Sequence, residues 1–543
     1  MKKRFNTYIK RDFNTWSMLT LAIIAFVSLP IITIFIQLFL GPGESWLHVV
    51  KNLLPDYTVN TVILIVGCTI LTFLFGVSSA WIVSRYHFFM RQPLEWLLIL
   101  PLAIPSYITA YAYAGFFDYG GTLELLLRVL NINPYKFDVM NIYGLIFVLS
   151  ISLYPYVYIS SRVVFRYQSS RLIEASKMLG ASEFKTLLRI VLPLARPAII
   201  GGLILVLMEV LNDYGAAKYY GVQTFTTGVF RAWFSLEEPS TAIYLSAILL
   251  VVVFLFIGLE RWQRGAKKFT FSLKSEAKLS KLKVSKQSQF VLFIIVGFPV
   301  LLGFVLPFFQ LLYWCVLTFS DVASAGFYPI ALQSLGIAVS ASFLTVIFAV
   351  FVLYFPKWNR IAILKQSSRI AVLGYAIPGA IIAIGVMIPL LSLDKLGIEI
   401  GKTYFDADIG FMINGTVFIL IYAYIIRFLA VAFNPIEAGQ LKLKNCLSES
   451  SRLLGKSPFK TFLNIEFPLL KPSLIGAFIL VFVDVMKELP LTLILKPYHI
   501  NTLAVKAYEF ASDEMIMEAA LPSLCIIATG IVPIILLNRL ILK

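Results

Sequence analysis

Acidic residues inside apolar stretches are the residues of this sequence best placed to do chemistry. Glu209 and Asp213 interrupt one such stretch, and Asp484 and Glu488 interrupt another. The members of each pair are four residues apart, which places them on the same face of a helix. Ionisable residues inside a membrane are costly and usually functional, and carboxylate oxygens suit a hard cation such as ferric ion. The four acids are therefore candidate contacts for a solute on its path through a membrane, unless they are structural and Lys487 pairs with one of them.

The composition places these acids in a membrane protein. Of the 543 residues, 59% are hydrophobic and only 14% are charged. A soluble chain carries roughly 25% charged residues, so a soluble enzyme, a disordered chain and a secreted disulfide scaffold are excluded. The four cysteines and three histidines are dispersed, with no spacing typical of a metal or redox site. The sequence predicts no catalytic residue, no bound cofactor and no resident metal.

Twelve apolar runs are long enough to cross the roughly 30 Å of hydrocarbon in a bilayer. The sequence therefore predicts an all-α integral membrane protein with twelve transmembrane helices. Proline and glycine interrupt several runs, which neighbouring helices permit. The expected spans are 17–39, 59–83, 94–116, 142–163, 196–217 and 241–260 in the first half, and 290–314, 333–355, 369–391, 411–430, 472–495 and 518–538 in the second.

The distribution of basic residues indicates the orientation of these spans. With both termini in the cytoplasm, 36 of the 46 Lys and Arg residues fall in cytoplasmic segments, when Arg427 is counted at the inner end of its helix. Basic residues favour the cytoplasmic side of a membrane. We therefore expect a multi-pass membrane protein with both termini in the cytoplasm. The net charge of +17 follows from this bias and needs no nucleic-acid partner.

The sequence contains two copies of one unit. At an offset of 275, Leu172–Gly201 and Leu447–Gly476 are identical at 16 of 30 positions. Six spans in each copy give both copies the same orientation, as in the parallel repeats of transporters. The predicted domains are a first six-helix repeat at 1–260, a basic cytoplasmic linker at 261–288 and a second six-helix repeat at 289–543.

The best-matched part of the repeat is a polar loop between the fourth and fifth spans of each copy. Around Gly180 and Gly455, both loops have an acidic residue, a glycine, an amphipathic turn and a proline that begins the next span. We expect the acidic residue to open a short helix at the positive end of its dipole, and the glycine to let the chain turn. Because a simple connection does not need this pattern twice, each loop is expected to present a helix to a partner.

These loops resemble the coupling-loop signature of the membrane subunits of bacterial ABC importers, in which Glu-Ala-Ala is followed by glycine, isoleucine and Leu-Pro at fixed spacing. Serine replaces one alanine in the first copy and both alanines in the second, where Phe467 also replaces the leucine. The resemblance implies a protein of the bacterial cytoplasmic (inner) membrane in which each loop docks on one of two copies of a separate ATPase. The matching residues are Glu174, Ala175, Gly180, Ile190, Leu192 and Pro193 in the first copy, and Glu449, Gly455, Ile465 and Pro468 in the second.

Two further stretches resemble the fused, two-repeat permeases of ferric-iron importers. They are Glu209–Gly215 and Val483–Pro490, which contain the acids described above. The resemblance covers most of the chain and implies the type I ABC importer permease fold, transport by alternating access, ferric iron as the substrate and a periplasmic binding protein as a further partner. Related fused permeases carry thiamine or other small solutes, so the substrate stays open at this point.

The energy for transport is expected to come from a separate subunit that uses ATP. Gly180–Thr186 is superficially similar to a phosphate-binding loop, but it lacks the glycine before lysine and precedes a membrane span without a preceding strand. The spans leave no length for a nucleotide-binding domain, so the chain is not expected to be an enzyme. An ion-gradient secondary transporter is the alternative from a different class, but it has no need for twin docking loops. A membrane-embedded enzyme is disfavoured because no cluster of catalytic residues is present.

Overall fold

Helices form most of the chain, as the apolar runs predict. The computed structural model describes residues 15–132, 138–167, 170–264, 281–357, 372–406, 410–443 and 445–542. Two short strands, β1 (Tyr86–His87) and β2 (Leu282–Lys283), form a parallel two-stranded sheet. The end of the predicted linker 261–288 is therefore paired with the chain that follows the second long helix, whereas residues 265–280 of the linker lie outside the described residues.

The helices of the first half alternate between long apolar segments and short segments at their ends. They are α1 (Thr15–Gln37), α2 (Trp46–His48), α3 (Leu54–Arg85), α4 (Arg91–Leu97), α5 (Ser106–Phe117), α6 (Thr122–Val129), α7 (Ile142–Tyr167), α8 (Ser170–Met178), α9 (Glu183–Thr186), α10 (Leu192–Asn212), α11 (Gly215–Tyr219), α12 (Phe225–Phe230) and α13 (Pro239–Arg264). The 3₁₀ turns are Leu38–Leu40 and Leu100–Ala103, and the π turns are Val49–Leu53, Leu187–Val191 and Arg231–Ser235.

The helices of the second half follow a similar order. They are α14 (Lys286–Val300), α15 (Leu306–Val322), α16 (Phe327–Lys357), α17 (Gly379–Phe405), α18 (Val417–Lys442), α19 (Asn445–Leu453), α20 (Pro458–Thr461), α21 (Phe467–Lys487), α22 (Pro490–Leu495), α23 (Leu503–Ser512) and α24 (Ala520–Leu542). The π turns are Leu301–Val305 and Phe462–Glu466, and Val372–Ala376 is a 3₁₀ turn.

Each of the twelve predicted spans coincides with a helical segment. Within the described residues, ten helices are long and apolar enough to cross a membrane, or eleven if a bent pair of helices counts as one span. That pair, Arg91–Ala103 and Ser106–Val129, covers the third predicted span. The twelfth predicted span coincides with α24. The apolar part of α24, Ala520–Ile531, is shorter than the ten helices counted above. The prediction of an all-α membrane protein is confirmed.

Proline explains where the helices depart from the predicted spans. The residue before a proline is restricted to extended conformations, and Ile104 before Pro105 has φ −99° and ψ 117°. The two parts of the bent pair consequently meet at an angle of 93°. In the second half, α17 begins at Gly379, directly after Pro378. The predicted start of the ninth span, residues 369–371, lies outside the described residues, and residues 372–378 of that span are a 3₁₀ turn and a short connection instead of α-helix.

The chain forms two compact units that differ from the two sequence repeats. One unit contains the described parts of Met1–Pro42, Ala323–Lys506 and Ala528–Lys543, and the other contains Gly43–Val322 and Ala507–Ile527. The first long helix of each half thus belongs to a unit built mainly from the other half. The predicted domain boundaries divide the chain by sequence repeat, whereas these units divide it by contacts. The predicted boundaries therefore stay a prediction.

Hydrogen bonds inside each unit show how these exchanged helices are held. In the unit that contains α1, the Tyr422 hydroxyl donates to the carbonyl of Phe26 at 2.6 Å. In the other unit, the Tyr113 hydroxyl donates to the carbonyl of Leu302 at 2.8 Å. Both acceptors lie in the helix contributed by the opposite half of the sequence. The bonds matter because helices in lipid gain no hydrophobic free energy by associating, so packing and hydrogen bonds must hold them together.

Glycines allow three helices of one unit to approach closely around Val157. A Cβ atom on Gly76 of α3 would lie 2.7 Å from the Val157 Cβ, and one on Gly202 of α10 would lie 2.9 Å from the Val157 Cα. Real Cβ atoms do not approach this closely, so both positions require glycine. Small residues at such contacts are typical of packed membrane helices. The contact fixes the middle of α10, the helix that follows the first polar loop.

Candidate functional site

The first polar loop, residues 170–191, is two helical arms joined at Gly180. The backbone of Gly180 has φ +78°, a left-handed conformation. Its N–H donates to the Lys177 carbonyl at 2.8 Å, and the N–H of Ala181 donates to the Ser176 carbonyl at 3.0 Å. These two bonds are the pattern of a Schellman turn, which satisfies the last carbonyls of a helix. The glycine therefore ends α8 and directs the chain back towards α9.

The second polar loop, residues 445–466, repeats this geometry. Gly455 has φ +80°, its N–H donates to the Arg452 carbonyl at 3.0 Å, and the N–H of Lys456 donates to the Ser451 carbonyl at 3.2 Å. The next arm begins at Ser457, whose hydroxyl accepts the N–H of Lys460 at 3.3 Å. The two loops are therefore built in the same way at the same register of the repeat.

A pair of buried hydroxyl groups joins the two arms of each loop. Ser176 and Thr186 are hydrogen-bonded at 2.9 Å in the first loop, and Ser451 and Thr461 at 3.0 Å in the second. Hydroxyl groups buried without partners would be costly, so each pair favours the closed arrangement of its arms. Our sequence interpretation missed this clasp. Its signal is the identity of both residues between the copies, with serine where the signature has alanine.

Each loop exposes large apolar side chains at its turn. Met178 and Leu179 are 89% and 88% exposed in the first loop, and Leu453 and Leu454 are 88% and 82% exposed in the second. We call these four residues the apolar tips. Apolar side chains grouped at an exposed position mark an interaction surface. Because the tips follow polar helices at the ends of long apolar segments, they are suited to bind a protein partner at the membrane surface.

The first loop is also tied to the end of α3. The buried Arg85 forms an ion pair with Glu183 of α9 at 3.0 Å, and Lys177 of α8 pairs with the same carboxylate. In the second loop, the Ser448 hydroxyl donates to Glu466. Polar contacts thus join the two arms of each loop, and they also join the first loop to α3. Movement of the first loop would be transmitted to α3.

At the opposite end of α10, Asp213 is buried and fully engaged. Its carboxylate accepts the Ser106 hydroxyl at 2.6 Å and the N–H groups of Ala216 and Ala217 at 3.0 and 3.1 Å. A carboxylate that accepts the first N–H groups of a helix caps that helix. Asp213 therefore ends α10, starts α11 and connects both to the N-terminus of α5.

The second copy places Glu488 at the same register but gives it a charged partner. One carboxylate oxygen accepts the N–H of Leu491 at 3.1 Å, the equivalent of the Ala216 contact. The other accepts Nε of Arg427 at 3.1 Å, and both side chains are only 6% exposed. Gly379 stands where the first copy has Ser106, and a Cβ there would lie 2.7 Å from the Glu488 carboxylate. The glycine thus leaves room for the longer acid.

Arg427 is therefore not at the cytoplasmic end of its helix, as the count of basic residues assumed. It lies in the interior of α18, between Val417 and Lys442, with 5% of its surface exposed. Its guanidinium also donates to the Ile377 carbonyl at 2.9 Å. An apolar helix tolerates this charge because a carboxylate and a carbonyl oxygen receive it. The assignment of Arg427 to the end of its helix is therefore wrong. The sequence could not indicate the buried position, because the partners of Arg427 are distant in sequence.

Comparison with protein families identifies the molecule that contains these loops. Residues 72–266 and 359–543 each match the family described as "Binding-protein-dependent transport system inner membrane component". The chain belongs to this family. The prediction of a fused permease with two copies of one unit is thereby confirmed, as is the expectation of a multi-pass inner membrane protein.

Three similar proteins show how far the likeness extends along this permease. The chain is 26% identical over 535 residues to "Fe(3+)-transport system permease protein FbpB 2" of Haemophilus influenzae, and the alignment covers 96% of this chain and 98% of that protein. It is 24% identical over 513 residues to "Ferric transport system permease protein FbpB" of Actinobacillus pleuropneumoniae, covering 86% and 69%. Over 246 residues it is 24% identical to "Sulfate transport system permease protein CysT" of Escherichia coli, covering 43% and 86%.

The residues predicted to couple the permease to an ATPase occupy equivalent places in the two loops. The two glutamates and two glycines, together with Ala175 and the two prolines, are exposed, and the two isoleucines are half-buried. Pro193 and Pro468 lie at the starts of α10 and α21. Their role in coupling stays a prediction. The residues are Glu174, Ala175, Gly180, Ile190, Pro193, Glu449, Gly455, Ile465 and Pro468.

One detail of the predicted loops is wrong. Glu174 and Glu449 were expected to open their helices, but α8 begins at Ser170 and α19 at Asn445. Each glutamate therefore lies in the second turn, beyond the first turn in which the helix dipole acts. Because both glutamates remain exposed, they belong to the surface that a partner could contact.

The remaining predicted acids have different surroundings. Asp484 forms an ion pair with Lys487 at 3.4 Å, as the structural alternative predicted. Glu209 is half-buried near the end of α10. Among the described residues, no group of three His, Cys, Asp or Glu side chains could hold a metal ion. The role of Glu209, Asp213, Asp484 and Glu488 in a substrate path stays a prediction, and two of them have clear structural roles.

Glu238 joins the segment before α2 to the start of α13, outside the membrane-spanning helices. Its carboxylate accepts the N–H and the hydroxyl of Ser45 at 3.0 and 2.7 Å, and the hydroxyl of Thr241 at 2.7 Å. The hydrogen bond from the Ser45 hydroxyl lowers the pKa of Glu238 most, and the bond from Thr241 lowers it further. Ionised Glu238 is therefore favoured in the folded protein.

We expect the stabilisation by Glu238 to be lost in acid. Because its pKa is lower in the folded state than the usual value of about 4.3, its contribution is complete above that value and disappears as the pH falls through the lowered pKa. Thermal unfolding of Glu238→Gln should occur at a lower temperature than that of the wild type at pH 7, and the difference should vanish at the acid end. Glu237→Gln, a change of the exposed neighbour, is the control. An undiminished difference in acid contradicts the prediction.

Proposed function

We propose that this permease is the membrane subunit of an ATP-driven ABC importer and that its two polar loops couple it to separate ATPase subunits. The observation that carries the proposal is the pair of loops with the same turn, the same hydroxyl clasp and the same apolar tips. Two such surfaces on one chain suit two copies of one ATPase. ATP is then hydrolysed by these partners, and this chain itself holds no cofactor and no catalytic residue.

The orientation of the permease follows from the same proposal. Both loops lie between the fourth and fifth long segments of their copies, so they lie on the same side of the membrane. The excess of basic residues favours the cytoplasm for that side, with both termini there as well. A periplasmic binding protein would then deliver the solute to the opposite side. Alternating access would result when nucleotide binding and hydrolysis move the loops and the helices attached to them.

Ferric iron is the proposed solute. The support is the likeness along nearly the whole chain to a protein named as a ferric transport permease. A sulfate transport permease is also similar, over 43% of this chain, so another small solute is the second candidate. Uptake of ferric iron and of sulfate by the permease, reconstituted with its ATPase and binding protein, decides between them.

Substitution of the apolar tips tests the docking of the ATPase. In Met178→Ser/Leu179→Ser, the first loop should lose its ATPase while the second keeps one, so the amount of co-purified ATPase should fall by about half. Leu453→Ser/Leu454→Ser should have the same effect, and the fourfold variant should retain almost none. The physical reason is that large apolar contacts at an interface supply most of the binding free energy.

The matched control is Tyr498→Ser, which removes a fully exposed aromatic side chain near the opposite end of α21. This variant should co-purify with the normal amount of ATPase. Normal co-purification by the fourfold variant would contradict the proposed docking. Transport by the wild type without any ATPase, driven by an ion gradient, would favour a secondary transporter instead.

A further inference from the structure

An open pocket of about 500 Å³ lies beyond the end of α10, in the unit that contains α3 to α15. It is lined by the start of α3 and by the short segments that follow α10, from Tyr214 to Ser235. The 21 residues of α10 separate it from the first polar loop, a distance of about 30 Å along the helix. The pocket is therefore at the end of the permease that faces away from the proposed ATPase.

Two basic side chains give this pocket its charge. Lys218 and Arg231 line it, and both are exposed. Among the described residues, neither forms an ion pair with a carboxylate. No acidic residue is among the described residues that line the pocket. Asp213, which lies nearby in sequence, is occupied by Ser106 and the start of α11.

The packing around Arg231 gives it a fixed neighbour in the pocket. Arg231 lies close enough to Tyr57 for their side chains to interact electrostatically. Tyr57 is itself only 2% exposed, and its ring packs against the backbone at Gly228, where a Cβ would lie 2.5 Å away. Tyr57 is thereby held in place and forms a fixed part of the pocket wall beside Arg231. A rigid wall reduces the entropy that is lost when a ligand binds.

The rest of the wall is aromatic and polar. The rings of Tyr214 and Phe230 are stacked, with centroids 3.6 Å apart. Gln223 contributes an exposed amide side chain. A rigid apolar wall with a few polar groups is typical of pockets for small ligands. The chemistry of this pocket thus combines two positive charges with several neutral hydrogen-bonding groups, among them those of Gln223, Thr227 and Ser235.

We propose that this pocket binds a solute through oxyanion groups, carboxylate or phosphate, with Arg231 and Lys218 as the ligating charges. The planar guanidinium can bind two oxygens of one such group, and the lysine adds a point charge. At the register of Arg231 the second copy has Lys506, so a basic residue occurs at this position in both halves. The solute can be a simple oxyanion or a metal carried in an anionic carboxylate complex.

The inference changes what the buried acids suggest about the solute. Asp213 is already bonded to Ser106, Asp484 to Lys487 and Glu488 to Arg427, each within its own unit. The open pocket beyond the end of α10 is instead positive. If the cargo is ferric iron, as proposed above, it would meet the pocket as an anionic complex rather than as a bare cation. Only this last step depends on the proposed function.

Calorimetric titration of the full-length permease in lipid nanodiscs tests the inference. The probes are inorganic phosphate, citrate and ferric citrate, all at the same ionic strength. The wild type should bind at least one of them, and Lys218→Gln/Arg231→Gln should weaken that binding at least about tenfold, since charge-assisted hydrogen bonds are lost. Lys218→Arg, which keeps both charges and leaves the Arg231 guanidinium in place, should bind within about threefold of the wild type. Lys395→Gln removes an exposed lysine that does not line the pocket and is the matched control.

The arms of the titration distinguish the two sources of the anionic group. Binding of phosphate or free citrate supports a simple oxyanion, and binding of ferric citrate alone supports an anionic metal complex. The inference is overturned if the wild type binds none of the probes, or if Lys395→Gln weakens binding as much as the double variant does. No ATPase is present in this measurement. Its failure would therefore leave the proposed coupling intact, and a failure of ATPase co-purification would leave the pocket intact.

Discussion

Glu488→Gln is expected to destabilise the permease by about 3–5 kcal/mol, because Arg427 would keep a buried charge without its carboxylate. The two side chains are 3.1 Å apart and 6% exposed. The remaining bond from Arg427 to the Ile377 carbonyl cannot neutralise that charge. The loss should be measured as a lower midpoint of unfolding in detergent. Arg427→Met should have an effect of similar size, because it leaves the carboxylate unpaired.

The double variant Arg427→Met/Glu488→Gln separates an ion pair from two independent contributions. Removal of both charges leaves no unpaired charge, and the exchange of a buried ion pair for neutral side chains is often close to neutral in stability. The double variant should therefore be more stable than either single variant, which is the signature of direct coupling. A double variant whose loss equals the sum of the single losses contradicts the prediction.

Asp213→Asn in the first copy is the matched control for Glu488→Gln. Asp213 occupies the same register, but a hydroxyl and two backbone N–H groups hold it. Asparagine keeps an acceptor oxygen and leaves no charge unpaired, so the expected loss is about 1–3 kcal/mol. An equal loss in both variants would mean that Arg427 does not determine the cost. The two halves share a backbone design but hold it by different chemistry.

Patterns along the chain predict the helices because their causes are local. Twelve apolar runs were enough to locate the helical segments, and the glycine of each polar loop indicated its turn. Residues 372–377 of the ninth predicted span are as apolar as a helix, but Pro378 determines where α17 begins. Hydropathy measures composition, and proline acts through sterics and a missing N–H.

Contacts between distant parts of the chain could not be predicted in the same way. Arg427 and Glu488 are 61 residues apart, and nothing in the sequence near either residue specifies the other. The repeat also does not predict that α1 belongs to the unit built mainly from the second half. Both copies begin with an apolar run that suits either environment. The clasp between Ser176 and Thr186 is an intermediate case. Its residues recur in both copies, and a comparison of the copies for identical polar residues would have found it.

Valine in place of both loop glycines is expected to uncouple transport from ATP hydrolysis. Gly180 and Gly455 have φ +78° and +80°, and an L-residue in this left-handed conformation costs roughly 1–2 kcal/mol. A β-branched side chain is among the least compatible with it. The loop can relieve this strain by unwinding its turn. Unwinding would displace the apolar tips, because the backbone of the turn determines their position. We expect solute uptake by Gly180→Val/Gly455→Val to fall at least about tenfold in proteoliposomes with the ATPase and binding protein.

Asparagine at the same two positions isolates the backbone as the cause. Asparagine adopts the left-handed conformation far more readily than valine, and a Cβ at either glycine would meet no atom within 4 Å. Crowding therefore cannot explain a difference between the two substitutions. Gly180→Asn/Gly455→Asn should keep most of the uptake, while the valine variant still hydrolyses ATP through its partner without moving solute. If the two variants transport equally well, the shape of the turn is not what transmits the ATPase cycle, and the apolar tips would have to act without a fixed orientation.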